Sequence, residues 1–556
     1  MSNKRALITS LLINLFLLGL CLIFGNLAFG ATDDYFMARL LEGVYGENYN
    51  VHLTFVNVLY GYALLPFYYL FPKIGWYYIG EMTGVFLSFT TIGTIIIKRA
   101  GMQWGPLLAL LFSAAFASDC YLSVQFTQCA TLYSAAGMLL FLSYATKKEH
   151  SSKNEKIALL ISALFFLLWG AIMRREAFLM GVPFFAFALL LYVKDCWKHK
   201  TRTILGLIIL LIGLTTIQWI DKKHYEAPDY RYYKEFQSLR ATFGDGAFFD
   251  ASAVADEFDE QGSYSEEFHL LRNWVFYDSQ VFSVDSLRNY AKSVYANTLD
   301  TKPVAILYTL PSALANATNK PMFWIWFLFC GVLFLIKNGR SYAWGSILII
   351  AMLTSYLLIL NRIVYRVEMG FWLYATALAI PFMKSVPQIP PKFAKSALAV
   401  SVIAITATFG TKGDYVRNQT NGRNLQVSKA KLTHYADALD YIESLPSNYA
   451  VLASHTTYIF FSKKKEPPYR SEPFGSWKKI IPMGYWTPFF PDIENTLKEK
   501  GIKNPLKDAT KENVLVVGNN VLNEFLERHY DDSVSVRIEK EFDVLKFYKY
   551  TVSVNQ

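Results

Sequence analysis

The sequence predicts a polytopic α-helical membrane protein of about eleven transmembrane helices, followed by a C-terminal α/β domain outside the bilayer. Three observations carry that prediction. Of the 556 residues 53% are hydrophobic and only 18% are charged, where a soluble chain carries about a quarter charged residues. The apolar residues arrive in blocks of roughly 16–24, the length a helix needs to cross a bilayer, rather than in the short periods of a soluble core. The basic residues gather in short clusters between those blocks, where the positive-inside rule places them. Together these exclude a disordered chain, a coiled coil and an ordinary cytosolic enzyme. The formal net charge of +10 belongs to the same loop clusters, so no nucleic-acid partner is inferred from it.

Taken in order, the apolar blocks place spans at 6–29, 76–97, 104–119, 127–145, 156–173, 177–193, 203–220, 321–336, 341–361, 369–383 and 394–410. The first follows Lys4 and Arg5 as a signal peptide would, but it is longer than a usual signal core and is expected to stay as an uncleaved span. The block from Leu53 to Phe71 is treated as an interfacial or re-entrant helix. With that choice Lys98 and Arg99, the basic cluster at 147–156, Lys194–Arg202, Lys337 with Arg340, and Lys384–Lys395 all face the cytoplasm together with the N-terminus. The expected location is therefore the plasma membrane, with three regions on the outer face: the loop 30–75, the loop 221–320, and the tail. Residues 1–410 form the membrane domain with both loops, and 411–556 the extracytoplasmic domain.

In the tail, apolar positions three and four apart predict a helix at Ser428–Ser444, and β-type runs stand at Tyr449–Ala453 and Asn513–Val517. A second helix at Asn519–His529 and a strand at Phe542–Val552 complete an alternation that reads as a small α/β domain. The five cysteines form no framework and no metal-binding spacing; a Cys120–Cys129 pair across one hairpin is conceivable.

The sharpest candidate for chemistry is Thr32-Asp33-Asp34-Tyr35, directly after the first span. Two adjacent carboxylates at a membrane surface repel, which raises the pKa of one. The structural alternative is a helix N-cap, with Thr32 or Asp33 starting an amphipathic helix over Tyr35–Val44. Arg174-Arg175-Glu176 lies at the outer end of the fifth span, where positive charge runs against the usual bias and asks for an anionic partner. A lipid phosphate suits the bidentate guanidinium fork; pairing with Glu176 or with the aspartates is the alternative. Arg362 and Arg366, four residues apart at the outer end of the ninth span, repeat the argument and would share a helix face, with salt bridging to Glu368 as the alternative. His52 and Glu81 are accessory candidates, the histidine because it titrates in a useful range and the glutamate because a carboxylate inside a span is costly unless paired or facing a cavity. No phosphate-binding loop, dinucleotide fingerprint, zinc motif or nucleophile elbow is present.

The order of a first span, an acid pair at its outer end, an amphipathic loop helix, a near-membrane apolar block and a second span ending in Lys98-Arg99 resembles the GT-C superfamily of integral-membrane glycosyltransferases. The stretch Gly43–Leu59, with His52 and Asn57, is similar to that of bacterial cell-envelope members, although the Lys-Pro-Pro element that some members carry in this loop is absent. The resemblance implies a polyprenyl-phosphate-linked sugar donor in the membrane lipid and an envelope glycan or lipid acceptor. It implies Asp33 or Asp34 as the base that takes the acceptor proton. Arg174, Arg175, Arg362 and Arg366 would then hold the lipid phosphate, and a divalent cation, magnesium or manganese, is a candidate ligand of Asp33 and Asp34. A transporter or flippase of lipid-linked sugars, and a non-catalytic envelope-assembly scaffold, are the competing functions.

Overall fold

The computed structural model describes residues 3–25, 27–146, 152–243, 251–260, 265–296, 303–334, 339–360, 363–383, 391–420, 429–464, 467–518, 520–530, 533–543 and 545–552. The apolar blocks are helices. Among the described residues, six helices are long and apolar enough to cross a membrane, and a seventh if the pair Tyr308–Ala317 and Pro321–Phe334, bent by 89°, counts as one span. The chain is thus a multi-pass membrane protein. The longest element, Trp76–Ala117, is interrupted at Gly101, whose φ of 78° takes it out of the helix. Gly105 then packs back on Ile97 and Gly93 lies beside Ala109, so this element is a helical hairpin, and only a residue without a side chain takes that backbone angle cheaply. Val58–Leu70 has 13 residues, about 20 Å of helix, which is too short for a crossing.

Element ends differ from the sequence reading where local hydrogen bonding overrides hydropathy. The first helix is Asn3–Phe24, short of the expected end at 29, because Ala28–Phe29 leaves it to pair in parallel with Ser123–Val124. The helix Pro391–Thr420 runs on past residue 410. Cys120 and Cys129 are both free and buried, so the conceivable disulfide is not formed.

The C-terminal segment builds a five-stranded mixed sheet in which Ile480–Pro482, Ala450–Ala453 and Val514–Val517 run parallel and the hairpin Val534–Phe542/Leu545–Val552 adds antiparallel. Val534–Phe542 and Ile480–Pro482 escape the sequence reading because the first is largely exposed and polar and the second is three residues long. The helices Lys429–Ser444 and Asn523–His529 fall where helices were expected.

This sheet domain is bound to the segment 39–75 by backbone and side chain alike. Gly475 N donates to Gly43 O at 3.2 Å, Trp477 N to Val44 O at 3.0 Å, and Gly75 N to Tyr469 O at 3.0 Å. Gly43 closes its helix with φ 70°, and a Cβ there would lie 2.3 Å from Asn48 O, so glycine is required twice over. At the centre, the buried Arg39 guanidinium pairs with Glu472 at 2.9 Å, donates to Ser462 O at 2.8 Å, and lies 4.3 Å from the Trp477 ring centroid. The Trp477 indole donates to the other oxygen of Glu472.

Removing one partner of a buried ion pair strands the other. Glu472→Ala is therefore expected to destabilise the protein by about 3–5 kcal/mol and to expose the junction of the two domains to protease. Thermal unfolding in lipid nanodiscs and limited proteolysis check this.

Candidate active site

The acid pair stands at the start of the helix Thr32–Glu42, held there by the two short strands: Gly30 N donates to Val124 O at 2.7 Å. The N-cap of this helix is Ala31, with no side-chain capping bond, so neither Thr32 nor Asp33 caps it as the structural alternative required. Asp34 instead satisfies a neighbouring helix. Its Oδ1 accepts from Phe126 N at 3.1 Å, one of the unpaired N–H groups at the start of Phe126–Ala145, and from the Tyr77 hydroxyl at 3.3 Å. Its other oxygen, Oδ2, is buried without a hydrogen-bond partner, as are both carboxyl oxygens of Glu81, which lies close enough to interact with it electrostatically. Complete burial pushes the Asp34 carboxyl well above the usual carboxylate range, and the charge on Asp33 pushes the same way, against the Phe126 amide and the positive field of Arg366.

Asp33 has the opposite surroundings. It is the one residue of its helix that is not buried, and its Oδ1 accepts from the Tyr485 hydroxyl of the sheet domain at 2.5 Å.

Beside the pair lies a cavity of about 600 Å³ whose polar lining includes Gly30, Gln125, Gln128, Lys320, Arg366 and Glu368, with Phe371 and Trp372 among its apolar walls. Arg366 lies in the first turn of the helix Tyr365–Ala377, facing this space and within electrostatic reach of Asp34. Lys320 Nζ bonds Glu368 at 2.5 Å, and Tyr365 donates to Asp119 at 2.8 Å. Arg174 sits at the break between Lys153–Met173 and Arg175–Leu191. Its guanidinium carbon lies 5.3 Å from the Phe126 ring centroid and 5.6 Å from that of Phe55, on the far side of the residue whose amide holds Asp34. It also pairs with the largely exposed Glu176 at 2.8 Å, so the internal pairing weighed as an alternative exists. An ion pair that open to solvent holds its partners weakly.

The structure therefore brings Asp33, Asp34, Glu81, Arg366 and Arg174 to one end of the helix bundle. Arg175 is exposed on the first turn of its helix and is not part of the cavity lining. Arg362 lies outside the described residues. His52 is held by Asn50 Oδ1 at 2.9 Å and His224 O at 3.2 Å and stacks on Tyr230 at 3.7 Å. Burial there lowers its pKa to about 4, so it is a neutral packing residue with no titration in the useful range. Asp33 points to Tyr485 and Asp34 to Phe126 and Glu81, and among the described residues no three His, Cys, Asp or Glu side chains group as metal ligands. That donor set is thin for a hard cation that takes six or more oxygens.

Sequence reasoning missed Lys320 as a site residue, although a lone cation directly before the apolar run Pro321–Phe334 carried the same signal as the arginines. Tyr77, one residue into the second span, carried none.

No family model matches the chain, and no curated protein matches it. Among solved structures it is similar to ArnT from Cupriavidus metallidurans in the apo state, at 12% identity over 98% of each chain with a TM-score of 0.41. It is similar to the same protein bound to undecaprenyl phosphate, at 11% identity over 100% of this chain and 99% of that one with a TM-score of 0.39. It is also similar to the Archaeoglobus fulgidus oligosaccharyltransferase in the apo form, at 13% identity over 96% of this chain and 69% of that one with a TM-score of 0.42. Scores of this size leave function to be argued from the residues.

Because the folded state holds a proton on Asp34 that the unfolded chain releases above its ordinary pKa of 3.8, this group's contribution to stability is complete below that value and declines as pH rises toward the elevated folded pKa. Asp34→Asn keeps an acceptor for Phe126 and Tyr77 and adds a donor toward Glu81. It is expected to fold and to flatten that decline, as measured by thermal unfolding from pH 4 to pH 9.

Proposed function

We propose that the protein is a GT-C-type glycosyltransferase that moves a sugar from a polyprenyl-phosphate carrier to an envelope glycan or lipid acceptor on the outer face of the membrane. The observation that supports the proposal is that Arg366 and Lys320 line a cavity between helix ends of an otherwise apolar bundle, and that Arg366 lies within electrostatic reach of Asp34 of the acid pair. An anionic leaving group on a lipid needs cations at the membrane boundary, and an acceptor hydroxyl needs a base beside them.

Of the two acids, Asp33 is the base. It is partly exposed where Asp34 is buried, and Asp34 already holds Phe126 and Tyr77. In the reaction the acceptor oxygen attacks the anomeric carbon from the face opposite the phosphate, forming the new glycosidic bond with inversion. The bond from that carbon to the phosphate oxygen breaks, and the electron pair leaves with the polyprenyl phosphate. The hydroxyl proton passes to Asp33. Arg366 and Lys320 hold the phosphate and stabilise the charge that grows on it. Arg174, stacked on Phe126, adds positive field from the other side of the acid pair and is free to shift because its tie to Glu176 is exposed. Glu368 holds Lys320 until an anion competes for it. The lipid chain lies along the apolar wall that includes Phe371 and Trp372.

The test uses the full-length protein in nanodiscs with undecaprenyl-phosphate-linked glucose, galactose, mannose and arabinose, each radiolabelled, and an envelope glycan extract as acceptor. Transfer of label with stoichiometric release of undecaprenyl phosphate is expected for at least one donor. Asp33→Asn should lower that rate by about 10²–10⁴-fold while leaving undecaprenyl phosphate binding intact. Arg366→Ala should weaken binding of undecaprenyl phosphate by about 10- to 100-fold, the value of a charge-assisted contact. Undiminished transfer by Asp33→Asn would overturn the assignment of the base. An absence of turnover with every donor, together with lipid movement between leaflets, would favour a flippase.

A further inference from the structure

The hydroxyl that reaches Asp33 does not come from the membrane domain. It belongs to Tyr485, in the turn that follows the strand Ile480–Pro482 of the C-terminal sheet, more than four hundred residues further along the chain. That hydroxyl is positioned with unusual redundancy. Tyr485 has φ 71°, a left-handed conformation that a tyrosine adopts only when its surroundings impose it. The turn is anchored from the loop between the membrane helices: Phe276 N and Tyr277 N both donate to Met483 O, at 2.9 and 3.0 Å. Gly484 lies flat on the Trp274 backbone, where a Cβ would come within 2.0 Å of the Trp274 carbonyl oxygen. Thr487 Oγ1 closes the turn on Gly484 O at 2.7 Å. The ring itself is packed on Phe36 of the acid-bearing helix at 5.6 Å, on His455 at 5.0 Å and on Trp274 at 5.7 Å. Three separate parts of the chain therefore fix one hydroxyl against the only acid of the pair that can meet a substrate.

From this geometry we infer that Tyr485 is a positioning residue for the base: its hydroxyl orients the Asp33 carboxylate, so that the site is complete only when the C-terminal domain is docked. The inference rests on the reading of Asp33 as the base. A phenol donating to one carboxylate oxygen leaves the other lone pairs for the acceptor proton and fixes the plane of the group. Packing alone needs the ring and not the oxygen, which separates the two roles.

The experiment compares wild type, Tyr485→Phe and Asp33→Asn as full-length proteins in nanodiscs, using whichever undecaprenyl-phosphate sugar of the panel above turns over, with kcat, KM and the pH–rate profile as readouts. Tyr485→Phe is expected to lower kcat by about tenfold or more with donor KM within about twofold, and to move the acid limb of the profile upward by about one pH unit, since the carboxylate loses a donor. Replacement of Tyr485 by 3-fluorotyrosine, which keeps the ring and the hydroxyl and donates more strongly, should move that limb downward; it serves also if Tyr485→Phe proves unstable. A profile and kcat unchanged in both variants, with Asp33→Asn inactive, would overturn the role of Tyr485 and leave the proposed function standing. An active Asp33→Asn would overturn the base itself.

Discussion

The helix Thr32–Glu42 carries four ionisable residues, Asp33, Asp34, Arg39 and Glu42, and all but Asp33 are buried. Taking such groups out of water costs several kcal/mol each unless they are paired or neutralised, so the surroundings of this one helix are closely constrained. The constraint is met from two directions. On the membrane side Asp34 is held by the start of the helix Phe126–Ala145 and by Tyr77. On the other side Arg39 is held by Glu472, and Glu42 accepts from the Glu472 backbone N–H at 3.3 Å. The helix is therefore a joint that neither half of the protein can leave without exposing unpaired charge. A consequence for function follows: the only side chain of the helix with access to a substrate is fixed by the same contacts that fix the fold.

The two adjacent aspartates do different work because their environments differ, not because their chemistry does. Asp34 is enclosed, lies close to the buried Glu81, and organises helix ends. Asp33 stays partly open and is met by a single phenol. A pair in which one carboxyl is kept neutral also removes the repulsion that two adjacent negative charges would otherwise impose on each other.

Much of this was legible in the sequence, and the limits of legibility have physical causes. The spans were readable because a bilayer demands long apolar blocks, and the break at Gly101 and the short helix Val58–Leu70 fell within that pattern. The acid pair and Arg366 were readable because charge beside an apolar block is expensive and so informative. The surroundings of His52 were not legible, because the same residue type serves as a titrating group or as a flat, hydrogen-bonding wedge, and its packing against Tyr230 and His224 comes from distant parts of the chain. The N-cap alternative fails because an acid after a span can satisfy a helix that begins elsewhere in the chain: Asp34 serves Phe126, ninety-two positions away. Strand Val534–Phe542 was missed because an exposed strand on the outer side of a hairpin lacks the apolar alternation that marks a buried one.

The contacts between the membrane domain and the sheet domain bear on why a membrane enzyme of this architecture would keep a soluble-looking appendage at all. Docking by apolar area alone would hold the two together without placing any atom accurately. Here the interface is instead built of directional groups: backbone bonds from Gly475 and Trp477 to Gly43 and Val44, the Arg39–Glu472 pair, and Thr496 Oγ1 on Tyr45 O at 2.6 Å. The fully buried Arg240 adds to them, its guanidinium carbon 4.3 and 4.2 Å from the ring centroids of Trp274 and Trp486. Directional bonds satisfied only at one relative placement make docking sensitive to position. The aromatic chain from Phe126 through Phe55 and Trp486 to Arg240 and Trp274 carries that accuracy from the acid-holding amide of Phe126 to the turn of Tyr485.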